Sequence, residues 1–312
     1  MSVILFHYPH SPFAARVLYY LALRGIQYDQ CIQPQILPRP DLARLGIRYR
    51  RIPLLSIGRD VYLDSPMILR ALERVESEKP PFSHTATPEQ RGLEQLLAKF
   101  TLETSLFVKI MMGGGDFDFV GFVLATRPDA IVAVKNAIEF LETTLLADGR
   151  QWLAGTEAPS LADIEMVWPL HWLFSTPGAL PEDHISASLF PKVFAWVDRF
   201  QTAVSAAQQS LRAPETFSGE QVAELLKGMT ADETADVIDE GDPLVQASGL
   251  HKGQLVQLWP TDSGFTHKTV GRLLGLTGKE ITIETVEGDV SVRVHAPRHG
   301  FQVAAVVESP QL

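Results

Sequence analysis

The chain has 312 residues, of which 46% are hydrophobic and 21% charged, and it carries a net charge of −10. That composition excludes a disordered or fibrous chain and leaves room for about two domains and a small third. No apolar run reaches the roughly 18 residues that a membrane helix needs, and Met1 to Pro9 lacks the basic and long apolar regions of a secretory leader. A cytoplasmic location with no membrane partner is therefore expected. The one cysteine, Cys31, cannot form an internal disulfide, and no Cys/His spacing suits zinc, so no metal is expected either. Charge divides along the chain as +4 over residues 1–80, −6 over 81–212 and −8 over 213–312. An acidic chain with its basic residues at one end is a poor match for a nucleic-acid backbone, where several phosphates must be neutralised. The basic first segment suits a small anion, or simply carries solvated faces.

In chain order, Val3 to Phe6 reads as a short strand. Pro9-His10-Ser11-Pro12 makes a turn, and Ala14, Val17, Leu18, Leu21 and Ala22 then recur at helical spacing. Gly25 suits the position just past that helix, and Ile26 to Ile32 returns to an extended pattern. Pro34, Pro38 and Pro40 make the next stretch irregular. After Arg48, Arg50 and Arg51, the runs Ile52 to Ile57 and Val61 to Leu63 flank a turn at Gly58-Arg59-Asp60, which predicts a hairpin. Asp64-Ser65-Pro66 supplies a helix start, with Ile68, Leu69, Leu72 and Val75 on one face. The first 80 residues thus read β-α-β, loop, β-β-α. From residue 87 only helices follow. Thr87-Pro88-Glu89-Gln90 spells a capping box, a second helix is predicted over Asp129 to Leu146, and a third follows Ser160-Leu161-Ala162-Asp163. The third is apolar nearly all round from Ile164 to Trp172, as a buried central helix would be, and Lys192 to Val204 gives one more. Beyond residue 212 come a short helix, Gly219 to Lys227, and an acidic loop, Asp232 to Asp242. Five β-rich runs complete the chain: Leu255 to Trp259, Thr269 to Leu274, Ile281 to Val286, Val290 to Val294 and Phe301 to Val307. They predict a small SH3-like barrel, for domains at 1–80, 87–212 and 213–312.

Four spellings stand in order along residues 1–212: His10-Ser11-Pro12-Phe13-Ala14, Arg51-Ile52-Pro53-Leu54-Leu55, Leu63-Asp64-Ser65-Pro66 and Ser160-Leu161-Ala162-Asp163-Ile164. With them the chain resembles the glutathione transferase superfamily. His295-Ala296-Pro297-Arg298-His299-Gly300-Phe301 is similar to part of a C-terminal extension found in fungal members. The resemblance implies a thioredoxin-like N-terminal domain, an all-helical C-terminal domain, glutathione as cosubstrate and a cytoplasmic homodimer. The opposite net charges of the first two segments agree with a reciprocal two-fold contact.

Glutathione has two carboxylates, an ammonium and a thiol, and the matching residues suit each group. Ile52, before a Pro53 that the resemblance implies to be cis, can pair its backbone with the cysteinyl unit as an added strand. Arg51 joins this cofactor-binding set. Ser65 at a helix start can receive the γ-glutamyl carboxylate, and Asp64 the ammonium. Ser11 matches the residue that faces the sulfur in serine-type members, where a hydroxyl and a helix N-terminus lower the thiol pKa. Serine cannot form a mixed disulfide, so conjugation or isomerisation is expected rather than thiol transfer. Tyrosine-type members use the end of the first strand, which keeps Tyr8 open as the alternative, and His10 is an acid/base candidate. Phe13, Met111, Met112 and His171 are candidates for the pocket of an apolar electrophile, with Phe117 and Phe119 near the first two methionines; Cys31 is expected to pack inside. Two further readings stay open. One is a glutathione-independent isomerase, cyclase or lyase of fungal secondary metabolism, with His10 or His171 as acid/base; the other is a non-catalytic dimeric interaction protein.

Overall fold

A computed structural model describes residues 2–103, 119–175, 180–262 and 264–306. Their contacts group into two units, one of residues 1–17, 27–75 and 212–312, the other of 18–26 and 76–211.

In the first unit, β1 (Val3–His7) is buried along its whole length, as its Val-Ile-Leu-Phe run requires. Helix α1 (Pro12–Arg24) follows with proline at its first position, and Ser11 caps it, its Oγ accepting the Ala14 N–H at 3.3 Å. Strand β2 (Asp29–Ile32) lies parallel to β1. The hairpin of β3 (Leu54–Ile57) and β4 (Asp60–Leu63) adds antiparallel on the other side, and α3 (Ser65–Leu72) comes next. This is the predicted order, β-α-β, loop, β-β-α. The irregular stretch contains one short helix, α2 (Pro40–Ala43).

All five strands predicted beyond residue 250 are present: β5 (Leu255–Pro260), β6 (Thr269–Leu276), β7 (Glu280–Glu287), β8 (Val290–Pro297) and β9 (Phe301–Ala305). They continue the sheet of the first domain, where a small SH3-like barrel standing as a separate domain was expected. The sheet order is β2-β1-β3-β4-β8-β7-β6-β5-β9, one nine-stranded sheet that runs from the first domain into the extension. The junction is a parallel pairing of β4 with β8, in the register Asp60 to Arg293, Val61 to Val294 and Tyr62 to His295. An uncovered β4 would expose a row of unpaired backbone groups, and β8 satisfies them. One hydrophobic core serves both parts: Ile4, Phe6, Leu45, Tyr49 and Leu63 share it with Val222, Leu226, Val256, Ile283 and Val294. The predicted helix Gly219–Lys227 is present; the structure adds a capping box from Ser218 and Gln221, and the helix turns Val222 and Leu226 inward. Only glycine fits at 219, because a Cβ there would stand 2.2 Å from Asp41 Oδ1.

A buried polar cluster fastens the β4–β8 junction. His295 donates or accepts through Nε2 to Asp60 Oδ1 at 2.8 Å and through Nδ1 to Glu280 Oε1 at 2.7 Å, and its ring stacks on Tyr62. The second Asp60 oxygen accepts the Asp232 N–H at 2.7 Å, and Arg293 bonds the Asp232 carbonyl and Asp236. The acidic loop is thereby tied to the seam.

The second unit contains the helices Pro88–Glu103, Phe119–Phe140, Leu161–Ser175 and Pro191–Gln209, with a π turn at Leu141–Leu145. The second of these starts at Phe119 rather than Asp129 and carries Pro128 inside it. The Thr87 and Gln90 capping box forms as spelled. Asp163 is fully buried and accepts from Ser160 N, Ser160 Oγ, Leu153 N and Trp196 Nε1, all within 2.9 Å. Four donors on one carboxylate explain its place inside the unit. Among the described residues no helix is long and apolar enough to cross a membrane.

Burial pulls the His295 pKa down, yet its bonds to Asp60 and Glu280 outweigh that, and the net shift is upward from 6.5. A folded-state pKa above the unfolded one stabilises the fold fully below about pH 6.5 and loses that contribution as pH rises through the folded value. The stability difference between wild type and His295→Gln, from urea unfolding between pH 6 and 9, is expected to shrink with rising pH. A difference that grows over that range contradicts a charged imidazole at the seam.

Candidate functional site

Strand register decides which loops meet. Phe6 pairs with Cys31 on one side and Leu54 on the other, and Leu54 pairs with Leu63, so these four residues form one row across β2, β1, β3 and β4. With strands about 4.8 Å apart, three segments gather at one end of the sheet: Tyr8 to Ser11 after β1, Arg51 to Pro53 before β3, and Asp64-Ser65 after β4. The structure thus brings together Tyr8, His10, Ser11, Arg51, Ile52, Pro53, Asp64 and Ser65.

Each is held differently. Ser11 is buried at the start of α1, while His10 is exposed with φ of 65°. Tyr8 is half-buried against the core. Ile52-Pro53 is a cis peptide. Among the described residues, nothing bonds the N–H or C=O of Ile52, though its side chain is buried. The strand β3 begins two residues later, so this backbone is aligned for pairing but outside the ladder. Asp64 has φ of 69° and ψ of 140°, and its carboxylate accepts the Ser65 N–H at 2.8 Å. Burial pushes the Asp64 carboxyl up, against the opposing pull of Arg51, the Ser65 N–H and Arg16.

Two residues that the motifs did not mark complete the cluster. Arg16 is 1% exposed and donates Nη1 to Ser65 Oγ at 2.8 Å, so a buried guanidinium stands directly behind the Ser65 hydroxyl. Its signal was a lone charge inside the apolar helical run Ala14 to Leu18. Asp262, in the turn after β5, forms an ion pair with Arg51. Next to the site, His7 is buried and bonds Gln30 through Nε2 at 3.0 Å, and burial lowers its pKa so that the ring is neutral near pH 7. Cys31 packs inside, its thiol pushed up to about 12 by burial, too high for a thiolate role.

Of the candidate pocket residues, the structure describes Phe13 and His171, one in each unit. Phe13 is half-buried in the first unit. His171 belongs to the helical unit, where its Nδ1 is bonded to the Tyr19 hydroxyl; burial lowers the pKa of His171 and raises that of Tyr19. Met111, Met112 and Phe117 lie outside the described residues, as does the Phe119 side chain. A cavity of about 600 Å³ in the helical unit is lined by Leu23, Arg24, Phe82, Glu94 and Pro159 among others, and includes none of the predicted site residues. Among the described residues no cluster of three or more His, Cys, Asp or Glu could hold a metal ion.

Comparison with known families matches residues 10–75, the segment that contains all of this cluster except Tyr8 and Asp262, to the N-terminal domain of glutathione S-transferases. Residues 119–209 match a domain of unknown function. No curated protein matches the chain. Among solved structures, a GST-like protein from Pseudomonas syringae is 26% identical with a TM-score of 0.73, over 97% of this chain and 99% of its own. That span takes in the extension. The β-etherase LigF from a Sphingobium strain is 19% identical with a TM-score of 0.50, over 67% of this chain and 99% of its own. A rice GST solved with glutathione is 17% identical, with a TM-score of 0.49 over 72% and 96%. The first two likenesses agree with the thioredoxin-like first domain followed by helices.

The backbone at Asp64 is nearly glycine-only territory, tolerated by Asp and Asn through their short polar side chains. Asp64→Asn keeps the acceptor for Ser65 and is expected to stay within about 1 kcal/mol of wild type in urea unfolding, whereas Asp64→Val should lose about 2–3 kcal/mol.

Proposed function

We propose that the chain is a glutathione transferase that activates the glutathione thiol at Ser11 and adds it to an apolar electrophilic small molecule, or assists isomerisation of one. The observation that carries this reading is the unpaired Ile52 backbone beside Pro53, set at the same sheet end as a helix N-terminus and the Asp64-Ser65 turn. A free N–H and C=O on one residue is what an extended cysteinyl unit needs for antiparallel pairing. With that unit on Ile52, the γ-glutamyl carboxylate goes to the Ser65 hydroxyl and N–H, with the Arg16 charge behind it. Asp64 takes the ammonium, and the glycyl carboxylate is directed toward Arg51. The sulfur then faces Ser11. The Ser11 oxygen receives the Ala14 N–H, which leaves its own proton to donate to a thiolate, while the N-terminus of α1 favours negative charge there. The thiol proton leaves to solvent, the thiolate forms the S–C bond, and the electrophile releases its leaving group or is protonated.

Calorimetry with glutathione tests the binding step, and absence of heat at millimolar concentration removes the reading. In Ser11→Ala the rate of conjugation should fall about 10- to 1000-fold, the scale for one lost stabilising donor. Unchanged activity transfers the role to Tyr8. Turnover by enzyme freed of glutathione moves the protein to the cofactor-independent class.

The same reading includes a homodimer. Since β8 covers the β4 edge, the two-fold contact does not extend the sheet at β4 and is held by the opposite charges of the first two segments. Light scattering at low salt should give twice the 34.5 kDa chain mass, with weakening as salt rises; a monomer at micromolar concentration and low salt excludes it.

A further inference from the structure

The extension reaches the candidate site at a single charged contact. Arg51 precedes Ile52 in the chain, and its guanidinium faces the Asp262 carboxylate in an ion pair whose side chains are 31% and 40% exposed. Tyr49 and Asp64 are the other groups acting on Arg51.

This carboxylate is not carried by a loose side chain. Asp262 Oδ1 accepts the Gly264 N–H at 3.2 Å, its backbone carbonyl accepts the Phe265 N–H at 3.0 Å, and Thr261 N donates to the Gly300 carbonyl at 2.9 Å. Gly264 allows the turn to close, because a Cβ there would lie 2.7 Å from Pro260. The irregular segment leading to Arg51 is fastened to the same extension. Thr285 Oγ1 donates to the Leu45 carbonyl at 2.7 Å, the Arg48 N–H donates to Thr269 Oγ1 at 3.0 Å, and the Tyr49 and Phe301 rings are 5.5 Å apart. Cation and carboxylate are therefore held in place on both sides by one packed core.

We infer that Asp262 is a specificity-determining residue of the cleft: it competes for Arg51 with a second carboxylate of the ligand, so that the site gains little from the glycyl carboxylate of glutathione. This rests on the glutathione reading above. A ligand carboxylate that approaches Arg51 either displaces Asp262, breaking one ion pair to make another, or shares the guanidinium with it at the cost of like-charge repulsion. In both cases the net gain is small. A thiol tripeptide whose terminal carboxylate is capped should therefore bind the protein almost as well as glutathione.

The test is calorimetry on the full chain with two probes, glutathione and its glycyl monoethyl ester. Wild type is expected to bind the two within about threefold of each other, since the new pair only replaces an existing one. In Asp262→Asn the Gly264 acceptor is kept and the charge is lost. Its affinity for glutathione should rise about three- to tenfold while that for the ester stays within about twofold. An equal change for both probes, or none, overturns the inference. Should the variant not fold, wild type still decides: a preference for glutathione over the ester of about tenfold or more, the worth of an uncontested charge-assisted bond, overturns it as well. If neither probe binds any form of the protein, it is the glutathione reading that fails, a result distinct from an unchanged ratio between two probes that both bind.

Discussion

The pairing of β4 with β8 is the constraint on which the first unit depends. A four-stranded thioredoxin-like sheet leaves two edges, and the extension attends to both. β8 takes the β4 edge over three register positions, and the segment at Thr216 bridges to Gln30 on β2, next to an ion pair of Arg212 with Asp29. Backbone groups that would otherwise seek a neighbour are satisfied within the chain. Parallel pairing also forces the extension to curl back over the sheet, and its strands then share a core with Leu45, Ile47 and Tyr49.

Polar groups buried along that seam are arranged so that none of the key charges stands alone. His295 lies between two carboxylates, and the second oxygen of Asp60 is met by a backbone N–H. Charge buried in this way contributes registry more than raw stability, because desolvation offsets much of the attraction. Shifting β8 by one residue would turn His295 away from Asp60 and bury an unpaired carboxylate in its place. The helical unit uses the same device at Asp163, where four donors fix the entry of its central helix against Trp196.

The candidate site inherits its geometry from these restraints rather than from its own contacts. Ser11, Ile52 and Ser65 belong to three separate segments, and they meet because Phe6, Leu54 and Leu63 are laterally paired. Buried Arg16 supplies positive charge from beneath Ser65. The extension governs the opposite side, where the core shared with Phe301 and Thr285 holds Arg51 facing Asp262.

Much of this was legible in the residues themselves. Alternation, helical spacing and the capping spellings at Thr87 and Ser160 are local signals, and the elements they predicted are present with boundaries mostly a few residues off. The turn at Asp64-Ser65 and the run Arg51-Ile52-Pro53 marked their segments for the same reason, since caps and X-Pro steps act over three or four residues. Where the helix around Pro128 starts was not legible, because packing can carry a helix through a proline that propensity alone would treat as a break. Nor could the partner of β8 be read: β-pairing joins residues more than two hundred positions apart, and an edge strand accepts any suitable strand that the core brings near. The same holds for Asp262, an ordinary turn aspartate whose spacing and composition carry no mark of Arg51. Local residue chemistry determined the elements, their caps and the residue types at the site; tertiary structure alone decided that the extension continues the first sheet and brings a carboxylate to the guanidinium beside Ile52, because long-range pairing depends on which surfaces are buried together.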